Sequence, residues 1–212
     1  MNEWRSAEHA SAYLKRADQV PHRSAGETAM LDEIPGGLCR VLDLGSGDGR
    51  LLEFVLRERP HAKGVALDFS PHMLDQLRHR FGPMARAEIV HHNLEFPLPP
   101  LGTFDAVVSS FAIHHLVHER KRQLYEEIWE LLEAGGVFCN LEHVASPSPY
   151  AHERFLHAMG IKAVDEDPSN KLLDVHTQLE WLREIGFDDV DCYWKWRELA
   201  LLVGRKPPEA AA

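Results

Sequence analysis

The chain is poor in cysteine: three in 212 residues, Cys39, Cys139 and Cys192. They are widely spaced and form no C-x-x-C pair, so no disulfide framework or zinc knuckle is encoded. Each sits in an apolar run that suits a buried, inert thiol. Basic residues are also scarce. Lys and Arg number 23 against 33 Asp and Glu, a formal net charge of −10 with histidines neutral. That balance repels polyanions and argues against a nucleic-acid partner. The longest basic stretch, Glu119-Arg120-Lys121-Arg122, is followed by Glu126, Glu127 and Glu130 and reads as a solvated helix face. No run reaches the ~18 apolar residues of a membrane span, and the N-terminus lacks a signal-sequence pattern. A cytoplasmic location is therefore expected. Hydrophobic content of 44% and charged content of 26% suit a soluble globular chain with a sizeable core.

Glycine is concentrated where it matters. The stretch Val41-Leu42-Asp43-Leu44-Gly45-Ser46-Gly47-Asp48-Gly49-Arg50 joins an apolar strand to a helix start through a tight turn. Asp68 follows nineteen residues after Gly49, at the end of a second apolar run. An acid at that distance suits ribose hydroxyls. A dinucleotide fingerprint, however, requires G-x-G-x-x-G, and here Arg50 stands where the last glycine should be. A long side chain there hinders a pyrophosphate, while Asp43 suits a cationic amino group. The cofactor this points to is S-adenosylmethionine (SAM), with an amino-acid tail and no phosphates.

With these residues the chain resembles the class I SAM-dependent methyltransferases. Asp43–Gly49 matches their glycine motif and 64–70 their ribose-binding strand. His92-Asn93-Leu94 is similar to the adenine segment, 104–110 to the fourth strand, and 132–138 to the approach to the fifth. The resemblance covers roughly residues 36 to 204. It implies a Rossmann-like α/β fold: a seven-stranded, mostly parallel sheet with a C-terminal antiparallel hairpin and helices on both faces. It also implies that Asp43 meets the amino group of SAM, that Gly45, Ser46 and Gly47 border its amino-acid portion, and that Asp68 takes both ribose hydroxyls. Phe69 and Met73 would wall the adenine, Asn93 and Leu94 would hold its edge and face, and Ser110 would face the same crevice. Tyr13 would close over the cofactor. S-adenosylhomocysteine would be the product.

Periodicity supports that architecture. Strands are expected near 39–44, 63–68, 87–91, 104–110 and 136–142, and helices near 4–17, 23–33, 49–59, 71–81 and 119–133. Ser70 is the expected N-cap and Pro71 the first helical residue of one helix. Thr177 and Glu180 suit a capping box. Apolar runs near 189–195 and 198–204 are too close for a parallel crossover and predict a hairpin. The expected organisation is an N-terminal helical cover over 1–35, a SAM-binding domain over 36–206 with an irregular insert over 144–176, and a tail over 207–212. The cover and the insert are expected to select the acceptor.

Ser109-Ser110-Phe111-Ala112-Ile113-His114-His115-Leu116 follows the fourth strand, closest to the point of transfer. It has no Asn/Asp-Pro-Pro-aromatic tetrad, no cysteine nucleophile and no strand-end acid for a metal. It is similar to the small-molecule methyltransferases with Ser-x-x-x-His-His-Leu. The candidate catalytic residues are His115, His114 and Glu142, the histidines as proton acceptors. His118, Glu142 and His143 raise the question of a metal, but fourteen histidines make chance proximity common, and no metal is expected. The reaction expected is methyl transfer from SAM to a small molecule, with no membrane partner, nucleic acid disfavoured and a homodimer compatible with the sequence. The alternatives are an enzyme modifying SAM itself or a tRNA wobble uridine, and a non-catalytic SAM-binding partner protein.

Overall fold

The computed structural model describes residues 21–82 and 86–209. The helix expected over 4–17, and Tyr13 with it, lies outside the described residues. Seven strands form one sheet in the order β3-β2-β1-β4-β5-β7-β6. They are β1 (Arg40–Leu44), β2 (Lys63–Asp68), β3 (Ala87–His91), β4 (Phe104–Ser110), β5 (Leu132–His143), β6 (Asp188–Trp196) and β7 (Leu199–Arg205). The first five pair in parallel, whereas β7 runs antiparallel between β5 and β6. The terminal hairpin therefore forms as its short connection required.

Six helices are described: α1 (Arg23–Glu33), α2 (Arg50–Glu58), α3 (Pro71–Phe81), α4 (His118–Leu131), α5 (Pro149–Met159) and α6 (Val175–Ile185). Alternate strand residues sort to opposite faces, as a pleat requires. Val41, Ala66, Val108, Cys139 and Leu201 join Met30 of α1 and Ile34 just beyond it, Leu52 and Val55 of α2, and Leu77 of α3. Leu42, Leu67, Val107, Phe138 and Leu202 join Leu124 and Ile128 of α4 and Leu182 of α6 on the other face. Thus α1 completes a face of the sheet, packed in one cluster with α2 and α3.

Three local expectations change. Asp174, and not Thr177, caps α6: its carboxylate accepts from the Thr177 N–H at 2.9 Å. The acid outcompetes the hydroxyl because it accepts the main-chain N–H and the Thr177 hydroxyl together. Ser70 occupies the cap position of α3 with Pro71 behind it, but its hydroxyl makes no cap bond. The Ser70 N–H is instead held by Asp68 Oδ1 at 2.8 Å. Finally, α4 stops at Leu131 and β5 begins at Leu132, two residues before the expected helix end, because Leu132 pairs with Phe104 ahead of a register shift.

Candidate functional site

A cavity of about 280 Å³ opens at the carboxyl ends of β1, β2 and β4, the position where open α/β sheets bind ligands. Its floor is the glycine turn. Gly45 (φ 67°) turns so tightly that a Cβ there would lie 2.3 Å from Ala112 Cβ, whereas at Gly47 (φ 57°) a Cβ would meet nothing within 4 Å. The first glycine is required by protein packing and the second leaves open space beside the main chain. Gly49 (φ 85°) lets α2 start against Phe81, whose Cε2 would be 2.5 Å from an added Cβ.

The turn is braced by side chains from both ends. The Ser46 hydroxyl donates to the Asp43 carbonyl at 2.7 Å and accepts from the Leu67 N–H at 2.9 Å, so it ties β1 to β2. Asp68 Oδ2 accepts from the Gly47 N–H at 2.9 Å. Asp68 is thus both a brace and a cavity wall. Burial raises its carboxyl, against hydrogen bonds from Ser70 and Gly47 that lower it. Asp43 is 1% exposed and its Oδ2 has no partner. Burial, with added repulsion from Asp68 and Asp48, pushes its carboxyl up to about 7.

Three of the orphaned buried side-chain atoms among the described residues, Asp43 Oδ2, Ser70 Oγ and Ser110 Oγ, belong to residues of this one cavity wall. Buried polar groups are nearly always paired, so such a cluster marks a place prepared for a ligand. Gly45, Ser46, Gly47, Phe69, Met73, Asn93 and Leu94 line the same space. The Asn93 side-chain amide also closes on Glu95, donating to Oε2 at 2.9 Å and accepting from the Glu95 N–H at 3.0 Å. Arg50 lies on the wall and pairs with Glu27 of α1. Arg23, another wall residue, reaches the same carboxylate at 3.0 Å. Neither Arg23 nor Ser70 was expected here; Ser70 could have been suspected from its place two residues after the strand-end acid, whereas Arg23 has no local signal.

The three expected catalytic residues separate into two layers. His115 lines the cavity, whereas His114 and Glu142 stand behind it. Phe111 takes a left-handed conformation (φ 54°) directly after β4 and turns the chain into the short 3₁₀ turn Ile113–His115. The adjacent rings stay in contact, tilted with centroids 4.0 Å apart, but take different partners. His114 is buried, its Nδ1 2.8 Å from Glu142 Oε1. Burial drives both towards their neutral forms, the imidazole down and the carboxyl up. The His115 imidazole is also lowered, chiefly by burial and then by the His114 charge. Its Nδ1 lies 2.9 Å from the Ser169 hydroxyl, on the insert. His143 turns away to Glu198 Oε2 at 2.9 Å, and His118 contacts the Leu172 carbonyl at 3.2 Å. Among the described residues no group of three His, Cys, Asp or Glu side chains is placed to hold a metal ion.

Fold and cavity together define an α/β protein with an open cavity at the carboxyl ends of its parallel strands. Comparison with known proteins narrows this. Residues 41–136 match the family model described as a methyltransferase domain. The chain is 30% identical to a demethylmenaquinone methyltransferase of Clavibacter sepedonicus, over 72% of this chain and 66% of that protein. It is 33% identical to a magnesium-protoporphyrin O-methyltransferase of Rhodobacter capsulatus, over 60% of this chain and 59% of that one. Human N-acetylserotonin methyltransferase in complex with SAM shares the fold, with a TM-score of 0.70 at 17% identity over 97% of this chain and 58% of that chain. The chain belongs to the class I SAM-dependent methyltransferases. It spans about two thirds or less of the length of these curated relatives.

Proposed function

We propose that the chain binds SAM in this cavity and transfers its methyl group to a small organic acceptor. The observation that carries the reading is that Asp43, Ser70 and Ser110, each with an unpartnered buried side-chain oxygen, belong to the wall of one cavity floored by the glycine turn. The residues present fit the donor. Asp43 is placed to receive an ammonium, which would satisfy its orphaned oxygen and restore its charge. Asp68 retains lone pairs for two hydroxyls beyond the main-chain bonds it accepts. Phe69, Met73 and Leu94 offer apolar walls for a purine. The relatives above act, by name, on a quinone precursor and a porphyrin, which supports a small-molecule acceptor.

SAM, when bound, supplies a methyl group activated by its sulfonium; the chain's own task is alignment and proton removal. His115 is the cavity histidine that can receive the proton. With its ring neutral it does not repel a cationic donor, and it retains one lone pair. A weakly basic ring suffices for a hydroxyl acceptor, because the attacking oxygen becomes strongly acidic as it gains the methyl group. Glu142 and His114 support that ring from behind. The N-terminal residues and the insert supply the acceptor's selectivity. Titration calorimetry with SAM and S-adenosylhomocysteine tests the donor site, with micromolar binding expected. A metabolite screen for SAM-dependent mass gain of one methyl group tests the reaction. Absence of binding to either nucleoside overturns the reading.

A further inference from the structure

We infer that Arg120, on α4, is a positioning residue that sets the cavity wall meant for the base of the donor. The inference rests on the reading of the cavity as a SAM site. With the ammonium at Asp43 on β1 and the ribose at Asp68 on β2, the base lies further along the sheet, towards β3. Asp68 pairs with His91, the last residue of β3, and its carbonyl accepts from the His92 N–H at 2.9 Å. His92, Asn93, Leu94 and Glu95 then line the cavity. From His92 to Thr103 the chain forms no helix or strand. Pro97, Pro99 and Pro100 in it have no N–H to donate. The shape of this wall needs a hold from outside.

Arg120 supplies it. The basic run at the start of α4 is not the solvated face its charges suggested: Arg120 is 7% exposed and Lys121 1%. The Arg120 guanidinium donates from Nε to the Leu94 carbonyl at 2.8 Å and from Nη2 to the Phe96 carbonyl at 2.9 Å. Glu127, two helical turns further on, aims this fork. Its Oε1 accepts from Nη1 at 2.6 Å and its Oε2 from Nη2 at 2.8 Å. The same Oε2 accepts from the Leu98 N–H at 3.0 Å. One ion pair thus fixes main-chain groups of Leu94, Phe96 and Leu98. Leu94 carries the effect into the cavity, since its Cδ1 would lie 3.8 Å from a Cβ on Gly45 in the floor. A buried ion pair seldom stabilises a fold more than apolar side chains of equal volume; this one also decides where a cavity wall stands. A lysine ammonium is a point charge and cannot hold two carbonyls and both carboxylate oxygens at once.

The test is saturation-transfer NMR of S-adenosylhomocysteine with the full chain, beside titration calorimetry. Wild type is expected to saturate the adenine H2 and H8 protons at least as strongly as the homocysteine protons. Arg120→Lys keeps a charge beside Glu127 and loses the fork. It is expected to weaken binding about 5- to 30-fold, the loss of about one hydrogen bond's worth of positioning. It should also lower H2 and H8 saturation relative to the homocysteine protons at least about twofold. The double variant Arg120→Met, Glu127→Met leaves no buried charge unpaired and is expected to give the same profile, also where Arg120→Lys does not fold. A purely structural role would lower all ligand protons together. That result, or an unchanged profile, overturns the inference. Failure of wild type to bind S-adenosylhomocysteine overturns the donor reading. Hydrogen exchange of the ligand-free chain then decides separately whether Arg120 holds the wall. Exchange over 93–98 should rise at least about tenfold in Arg120→Lys with 41–50 unchanged, and no rise overturns the hold.

Discussion

The two ends of the cavity are built by different means. The donor end comes from one β-turn-α unit and the next strand. Asp43, Gly45, Gly47 and Asp68 lie within 26 residues of sequence, and side-chain to main-chain bonds of Ser46 and Asp68 brace the turn between them. At the other end, His115 depends on partners far along the chain. Ser169 reaches it from the insert, and Glu142 reaches its neighbour His114 from β5. A compact local unit can bind one invariant ligand on many scaffolds. A wall assembled from separated segments can change its selectivity without disturbing that unit.

The largest expected effect lies at the donor end. Asp68→Ala removes the ribose acceptor and releases the Gly47 N–H, and calorimetry should show binding of S-adenosylhomocysteine weakened at least about 100-fold, the loss of two hydrogen bonds to a charged group. Next comes the opposite end. His115→Ala should reduce turnover about 10- to 100-fold in a steady-state assay with an acceptor from the metabolite screen, with donor binding within about threefold. Equal losses of turnover and donor affinity would erase the distinction between the two ends.

Asp43 gives a pH signature. Its folded-state carboxyl is raised from 3.8 to about 7, so the free fold favours the protonated acid, and ligand-free stability falls as pH rises from about 4 to 7. An ammonium ligand needs the charged acid. Below pH 7 donor affinity should therefore weaken by up to about tenfold per pH unit. Asp43→Asn should lose about tenfold in affinity at pH 7.5 and flatten this dependence between pH 5.5 and 7.5. A wild-type affinity independent of pH over that range would remove Asp43 from the role.

The smallest effect concerns how the insert is moored. Glu198, 1% exposed in the β6–β7 connection, accepts from His143 and His152 at 2.9 Å each and from Ser146. Burial raises the Glu198 carboxyl, but these three donors outweigh it and hold it below 4.5. Burial lowers His152, yet Glu198 and Glu166 outweigh it and hold the ring above 6.5. The carboxylate's contribution is present above 4.5 and lost as pH falls through its lowered value. That of His152 is present below 6.5 and lost as pH rises through its raised value. Glu198→Gln should cost about 1–2 kcal/mol of unfolding free energy at pH 5 to 6.5 and less at pH 8.5, with donor affinity unchanged. A loss that is the same at both pH values would mean that charge is not what moors the insert.

The unequal legibility of the two ends follows from their construction. At the donor end the sequence pattern is the structure: glycine spacing sets the positive φ values, and the strand-end acid sits where the next strand must finish. Even there, main-chain competition changed details. Ser70 sits at the cap position without a cap bond from its hydroxyl, while Asp68 holds its N–H, and the Asn93 amide closes on Glu95. At the other end nothing local reveals that Ser169 and Glu198 matter, because their partners lie about 50 residues away. The adjacent pair His114-His115 also could not be ranked. Only the turn imposed by Phe111 sends one ring into the cavity and the other into the core.

What the sequence by itself determined is the alternation of strands and helices, the closing hairpin and the glycine turn that floors the cavity, since these depend on periodicity, glycine freedom and short-range spacing. The tertiary structure alone decided which histidine lines the cavity, which atoms were left without partners, and which part of the insert touches His115. Those outcomes depend on contacts between segments distant in the chain, and local sequence does not encode where such segments meet.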